Sequence, residues 1–211
     1  MRPPLQVISD FALSKLIGSS DFTTFDGVRI GSIHADATRF TNTVIAALEL
    51  IGEHDPRRLR TLKRTTDVIV DRPLAGGSNA GAYRPRHRAI SIDYGQAPSD
   101  WTDIWQQTYF AGLLVHEATH GRIAAVGIST TTRNRVQIER ICTAEENRFY
   151  ERLRCIDGEL TDNFLRPFDP SQWDDVWSTG LVARSQTLLK RFREKSESEQ
   201  GGDGDASQRP C

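Results

Sequence analysis

The sequence predicts an α+β domain, mostly helical, with a small sheet packed on one long buried helix. Three observations carry this. Several stretches place apolar residues three and four apart, the period of a helix with one buried face. Two short runs rich in β-branched residues, DVIVD at Asp67 to Asp71 and AISIDY at Ala89 to Tyr94, are bounded by turn formers and read as strands. And the run YFAGLLVHEATHG is apolar on nearly every side, which marks a helix enclosed by the fold.

The first helix spans Thr38 to Gly52, with Phe40, Val44, Ala47, Leu48 and Ile51 on one face and Gly52 as its stop. Asp55 and Pro56 then supply an N-cap and a proline at the first helical position, starting a short basic helix to about Lys63. Between the two strands, LAGGSNAGAYRP predicts a loop or a wide hairpin connection; no helix opens after its glycines, so it lacks the form of a phosphate cradle. The enclosed helix runs from Trp101 to about Val126 with Ser99 or Asp100 as cap. A second long helix follows from Arg133 to Arg154, anchored by Ile138, Ile141, Cys142, Phe149 and Leu153. Asp169 and Pro170 cap a last helical region that passes Leu189. We therefore expect one domain over 1–194 and a disordered tail over 195–211, where apolar anchors are missing.

With 27 basic and 28 acidic residues, the net charge of -1 gives no overall field to attract nucleic acid or an anionic membrane. The basic run Lys190, Arg191, Arg193 and Lys195 is expected at a helix C-terminus, where cations suit the dipole. The longest apolar stretches, Val44 to Leu48 and Ala111 to Val115, fall far below the roughly 20 residues of a membrane helix. Asp10 and Lys15 interrupt any secretory apolar core. Three cysteines, Cys142, Cys155 and Cys211, without CxxC pairing, fit a reducing, cytoplasmic setting better than a disulfide framework.

The chemistry is concentrated at His116, Glu117, Ala118, Thr119 and His120, an HExxH motif. Four residues of helix bring the two imidazoles to one face, about 6 Å apart along the axis, so both can reach one ion. Zinc suits imidazole nitrogen, and a catalytic zinc site uses three protein ligands and one open position for water. Glu117, beside the metal, is placed as general base for that water, whose pKa zinc lowers toward neutrality. Eighteen residues separate His120 from Glu139, the choice for third ligand. Glu146, seven residues on and on nearly the same face, competes with it or orients a histidine, and Glu145 points away by about 120°. Cys142 on the same stripe reads as core. Tyr94 and Arg135 are candidate donors to a developing oxyanion. His34, His54 and His87 have no ligand spacing, and Trp101, Trp105, Trp173 and Trp177 read as packing.

These residues resemble the gluzincin zinc metallopeptidases, the thermolysin-like enzymes and zinc aminopeptidases, in which a glutamate on the helix after HExxH completes the site. The aminopeptidases share the eighteen-residue interval. The resemblance covers only His116 to Glu146; the GxMEN motif is missing, and IERIC stands where that branch has a segment like NExxA. VHEATHGRIAAVGI with RVQIERICTAEENRF also looks like a family of small bacterial zinc metalloproteins. The resemblance implies a zincin-like minimal metallopeptidase domain and a peptide or protein substrate, with His116, His120 and Glu139 on zinc and Glu117 catalytic. In such peptidases an edge strand just upstream of the motif helix binds the substrate in extended form, a place that Ala89 to Tyr94 occupies. The alternative expectation is a non-catalytic structural or regulatory zinc protein.

Overall fold

The computed structural model describes residues 13–15, 17–18, 21–32, 37–72, 74, 80–96, 101–131, 133–155 and 157–169. All lie in one compact unit. The expected last helical region, Trp173, Trp177, the basic run, the tail, His34, Ser99 and Asp100 fall outside them. The described architecture is α+β. Two strands, β1 (Thr23–Phe25) and β2 (Val28–Ser32), precede helices α1 (Ala37–His54) and α2 (Pro56–Thr65), and three more, β3 (Val68–Asp71), β4 (Gly81–Arg84) and β5 (Ala89–Ile92), precede α3 (Asp103–Ala125), α4 (Arg135–Leu153) and the short α5 (Gly158–Asp162).

The sheet is mixed, in the order β1-β2-β3-β5-β4. β2, β3 and β5 are parallel, with Ile30 opposite Ile69 and Ile69 opposite Ile90; β1 and β4 are antiparallel additions at its two ends. Alternation divides the faces. Val28, Ile30, Ile69, Ile90 and Ile92 enter the main core with Phe40, Val44, Leu48 and Ile51 of α1 and Phe110, Leu114 and Val115 of α3, while Val68, Val70 and Ala89 pack on Leu13, Ile17 and Phe22.

Three features differ from the sequence expectation. Within the glycine-rich stretch 74–85, Gly81–Arg84 form β4, which runs antiparallel to β5 after a turn at Pro85–His87, where Arg88 takes φ 46°. The unexpected β1–β2 hairpin turns at Asp26 and Gly27, with φ of 48° and 88°, the left-handed pair that a tight hairpin demands. And α1 continues through Gly52 to His54, with Leu59 of α2 packed over residue 52, where a Cβ would come 3.0 Å from its Cδ2.

The Asp55 cap forms as expected: its carboxylate accepts from the Arg58 backbone N–H, with Pro56 at the first position of α2. That carboxylate is buried and is satisfied further by the guanidinium groups of Arg58 and Arg152. Glu145, expected to be solvated, joins this network, with Arg58 at 2.7 Å, Arg148 at 2.7 Å and Arg122 at 3.9 Å. Charges from α2, α3 and α4 are thereby tied at one corner.

α3 is the axis of the unit. Buried side chains surround it on every face, and it borders α1, α2, α4 and β4. Two glycines admit its neighbours. A Cβ on Gly112 would lie 1.9 Å from the Tyr150 hydroxyl oxygen, and one on Gly121 would meet Thr65 and Tyr83 at 2.9–3.0 Å. Thr102 flanks its N-terminus. No described helix is long and apolar enough to cross a membrane.

Candidate metal centre

The two long helices meet in opposite senses: Gly112 abuts Tyr150, His116 faces Glu146 and Glu139, and His120 faces Glu139. This antiparallel seam follows from the short connection at 126–134, closed by Asn134, whose side chain accepts from the Thr131 N–H at 2.7 Å. Helical period then does the rest. Residues 112, 116 and 120 share one face of α3, and residues 139, 142, 146 and 150 share one face of α4.

At the seam's centre the imidazole rings of His116 and His120 lie 5.1 Å apart, centroid to centroid. One carboxylate oxygen, Glu139 Oε2, sits 3.3 Å from His116 Nε2 and 3.3 Å from His120 Nε2. On its other side His116 directs Nδ1 to Glu146 Oε2 at 3.1 Å. Glu146 Oε1 is within 3.5 Å of the buried Tyr150 hydroxyl, so the ring of His116 is held from both edges. Arg135 Nε approaches Glu139 Oε1 at 3.8 Å. His116, His120 and Cys142 also present ligand atoms within 4.8 Å of one another, a spacing at which they could hold a metal ion.

The charge here is one-sided. His116, Glu117, Glu139 and Glu146 are all buried, so with neutral imidazoles three carboxylates share a small volume. Removing such charges from water is costly unless a cation answers them. The titration directions follow. Burial alone would lower His116, but the Glu139 and Glu146 carboxylates beside its nitrogens outweigh that and raise it to about 10. Burial would raise Glu139, yet both imidazoles hold it down, to about 2. For Cys142, burial and the charges of Glu117, Glu139 and Glu146 act together and push the thiol well up. The site attracts positive charge, whether proton or metal.

Glu117 is one helical step from His116 and faces the sheet. A Cβ on Gly81 of β4 would come 3.0 Å from Glu117 Oε1 and 2.8 Å from Leu113 Cδ1, so glycine at that strand position is what lets the carboxylate lie flush against β4. Among the described residues Glu117 has no hydrogen-bond or ion-pair partner, which leaves its oxygens free to accept a proton.

His116, Glu117, His120 and Glu139, anticipated from spacing, thus come together with Glu146 and Arg135. Tyr94 does not. Its hydroxyl bonds with Thr43 Oγ1 and Gln106 Oε1 at 3.2 and 3.1 Å, and its ring stacks on Phe110, so it serves the core near the start of α3. Nor is Ala89 to Tyr94 an edge: β5 lies between β3 and β4, and its backbone is paired on both sides. The strand beside the site at the sheet's end is β4. Cys142, read as core, packs on Ile123 and Ile138 but also borders both imidazoles, a proximity set by the rotation of α4 against α3. Trp101 and Trp105 are packing residues, in ring contact with Phe164. His54 and His87 lie on α1 and the β4–β5 turn. Compared with known proteins, the chain matches no protein-family model, no curated protein and no solved structure.

Proposed function

We propose that this chain is a zinc-dependent hydrolase acting on peptide bonds, with His116, His120 and Glu139 as ligands and Glu117 as the catalytic base. The position of Glu139 Oε2, 3.3 Å from each Nε2, carries the reading. Donors about 2.0–2.1 Å from a tetrahedral ion stand about 3.3–3.4 Å from one another, so the carboxylate oxygen lies at ligand-to-ligand spacing from each of the two imidazole nitrogens. Hard and borderline donors of this kind fit zinc. Bound there, zinc would act as a Lewis acid and lower the pKa of a coordinated water.

The remaining roles belong to the chain's own residues. Glu146, on Nδ1, fixes the His116 tautomer and leaves Nε2 free to donate its lone pair, the carboxylate-histidine pairing that orients metal ligands. Glu117, with open oxygens against β4, can take a proton from water and return it to a leaving amine. Arg135, 3.8 Å from Glu139 Oε1, is placed to balance charge there. β4 pairs with β5 alone among the described strands, so its outer edge can accept an extended peptide by strand addition, bringing a carbonyl past Glu117.

Elemental analysis of the purified chain tests the metal. One zinc per chain is expected, and His116→Ala or His120→Ala should abolish it; a folded wild type that takes up no zinc rejects the reading. Glu117→Gln should retain zinc and lose peptide hydrolysis. A second reading, a closed structural or regulatory zinc site, is favoured by one observation, the nearness of Cys142.

A further inference from the structure

Two donor sets share the imidazole pair. Glu139 and Cys142 are three residues apart on α4, so they project one turn apart from the same face. The carboxylate contacts both Nε2 atoms, and the thiol sulfur is within 4.8 Å of a nitrogen on each ring. A cysteine that only fills core is satisfied by hydrocarbon, which Ile123 and Ile138 supply on one side. On its other side Cys142 meets two nitrogen donors of the opposite helix, at a distance that a small shift converts to shared coordination.

We infer that Cys142 is an exchangeable fourth metal ligand, whose thiolate occupies at rest the coordination place that a hydrolytic water takes in turnover. The inference rests on the metal reading above and alters its consequence. The exchange is balanced simply: the S–H bond breaks and its proton leaves to solvent, a metal–sulfur bond forms, and the metal–water bond breaks. Thiolate and water are then alternative fourth ligands on one three-residue base. A soft donor in the set also favours soft, thiophilic ions over magnesium or calcium. The side chain is wholly buried, so the exchange is shielded from bulk reagents.

Full-length protein carrying Cys155→Ser and Cys211→Ser, which leaves Cys142 as its one thiol, is stripped of metal and titrated with cobalt(II) alone. Expected are the visible bands of tetrahedral cobalt together with a near-ultraviolet thiolate-to-cobalt charge-transfer band. Adding Cys142→Ala should remove the charge-transfer band and keep the visible ones. Tetrahedral bands with no charge-transfer band in the Cys142-only protein would overturn the inference while leaving the three-ligand centre intact. A folded protein that binds no cobalt and no zinc would overturn both. Should Cys142→Ala fail to fold, X-ray absorption of the zinc-loaded Cys142-only protein decides instead: one sulfur at about 2.3 Å supports the ligand, and a shell of nitrogen and oxygen only refutes it.

Discussion

The two halves of α3 are equally enclosed and chemically opposite. Toward its N-terminus the helix meets rings: Trp105, Tyr109 and Phe110 contact Trp101, Tyr94 and Phe164, and Tyr150 stacks on Phe164 from α4. Beyond Val115 the same helix meets carboxylates, a thiol and guanidinium groups. The first half gains stability from apolar area removed from water. The second gives up some of that gain to gather charges that only a cation reconciles. Stability and chemistry are segregated along one element, so each should be removable without the other.

The largest effect is expected in the aromatic half. Phe110→Ala should cost about 3–5 kcal/mol in urea denaturation while leaving zinc stoichiometry at one in whatever fraction remains folded. Gly112→Ala follows, at about 3 kcal/mol, because a wholly buried tyrosine would have to retreat from the added methyl. Gly158→Ala, whose Cβ would meet Arg154 Cγ at an ordinary 3.8 Å, is the control and should change little. In the charged half, Glu146→Gln should weaken zinc by about 10- to 100-fold in chelator competition and leave the metal-free denaturation midpoint close to wild type. A smaller effect, above only the control, belongs to the link between halves: Tyr150→Phe removes a hydroxyl within 3.5 Å of Glu146 and should cost about 1 kcal/mol, with zinc affinity falling only slightly. Equal loss of metal and stability across all of these would erase the contrast.

What could be read beforehand divides along similar lines. Local signals were sufficient for α1, for the Asp55–Pro56 start of α2, for α3 and α4, and for β3 and β5, because each depends on periodicity or on capping chemistry within its own segment. Asp26 and Gly27 are the turn signal of the first hairpin, but its strands are too short and too polar for alternation to mark them. β4 was hidden by its glycines; one of them, Gly81, is there to admit Glu117 and not to make a turn. Strand order is not written in a strand's own residues, so the edge expected at Ala89 to Tyr94 falls instead to β4. At the centre, spacing brought His116, His120, Glu139 and Glu146 to facing stripes. Which nitrogen each carboxylate meets, and that Cys142 borders both rings, depend on the angle and rotation of packing, which a single chain's pattern does not encode.

An enclosed α3 also bears on how the chain comes to hold an ion. A rod whose middle is buried on every side gains little by forming alone, so it must be assembled with α1, α2, α4 and the sheet in one cooperative event. Its two imidazoles and the opposing carboxylate are then brought within reach only as the whole unit condenses. In the zinc reading proposed above, metal uptake and folding form one linked equilibrium, in which free zinc at a hundred times its dissociation constant would add about 2.7 kcal/mol to the native state. Scarcity of the ion would be felt first as a softer protein.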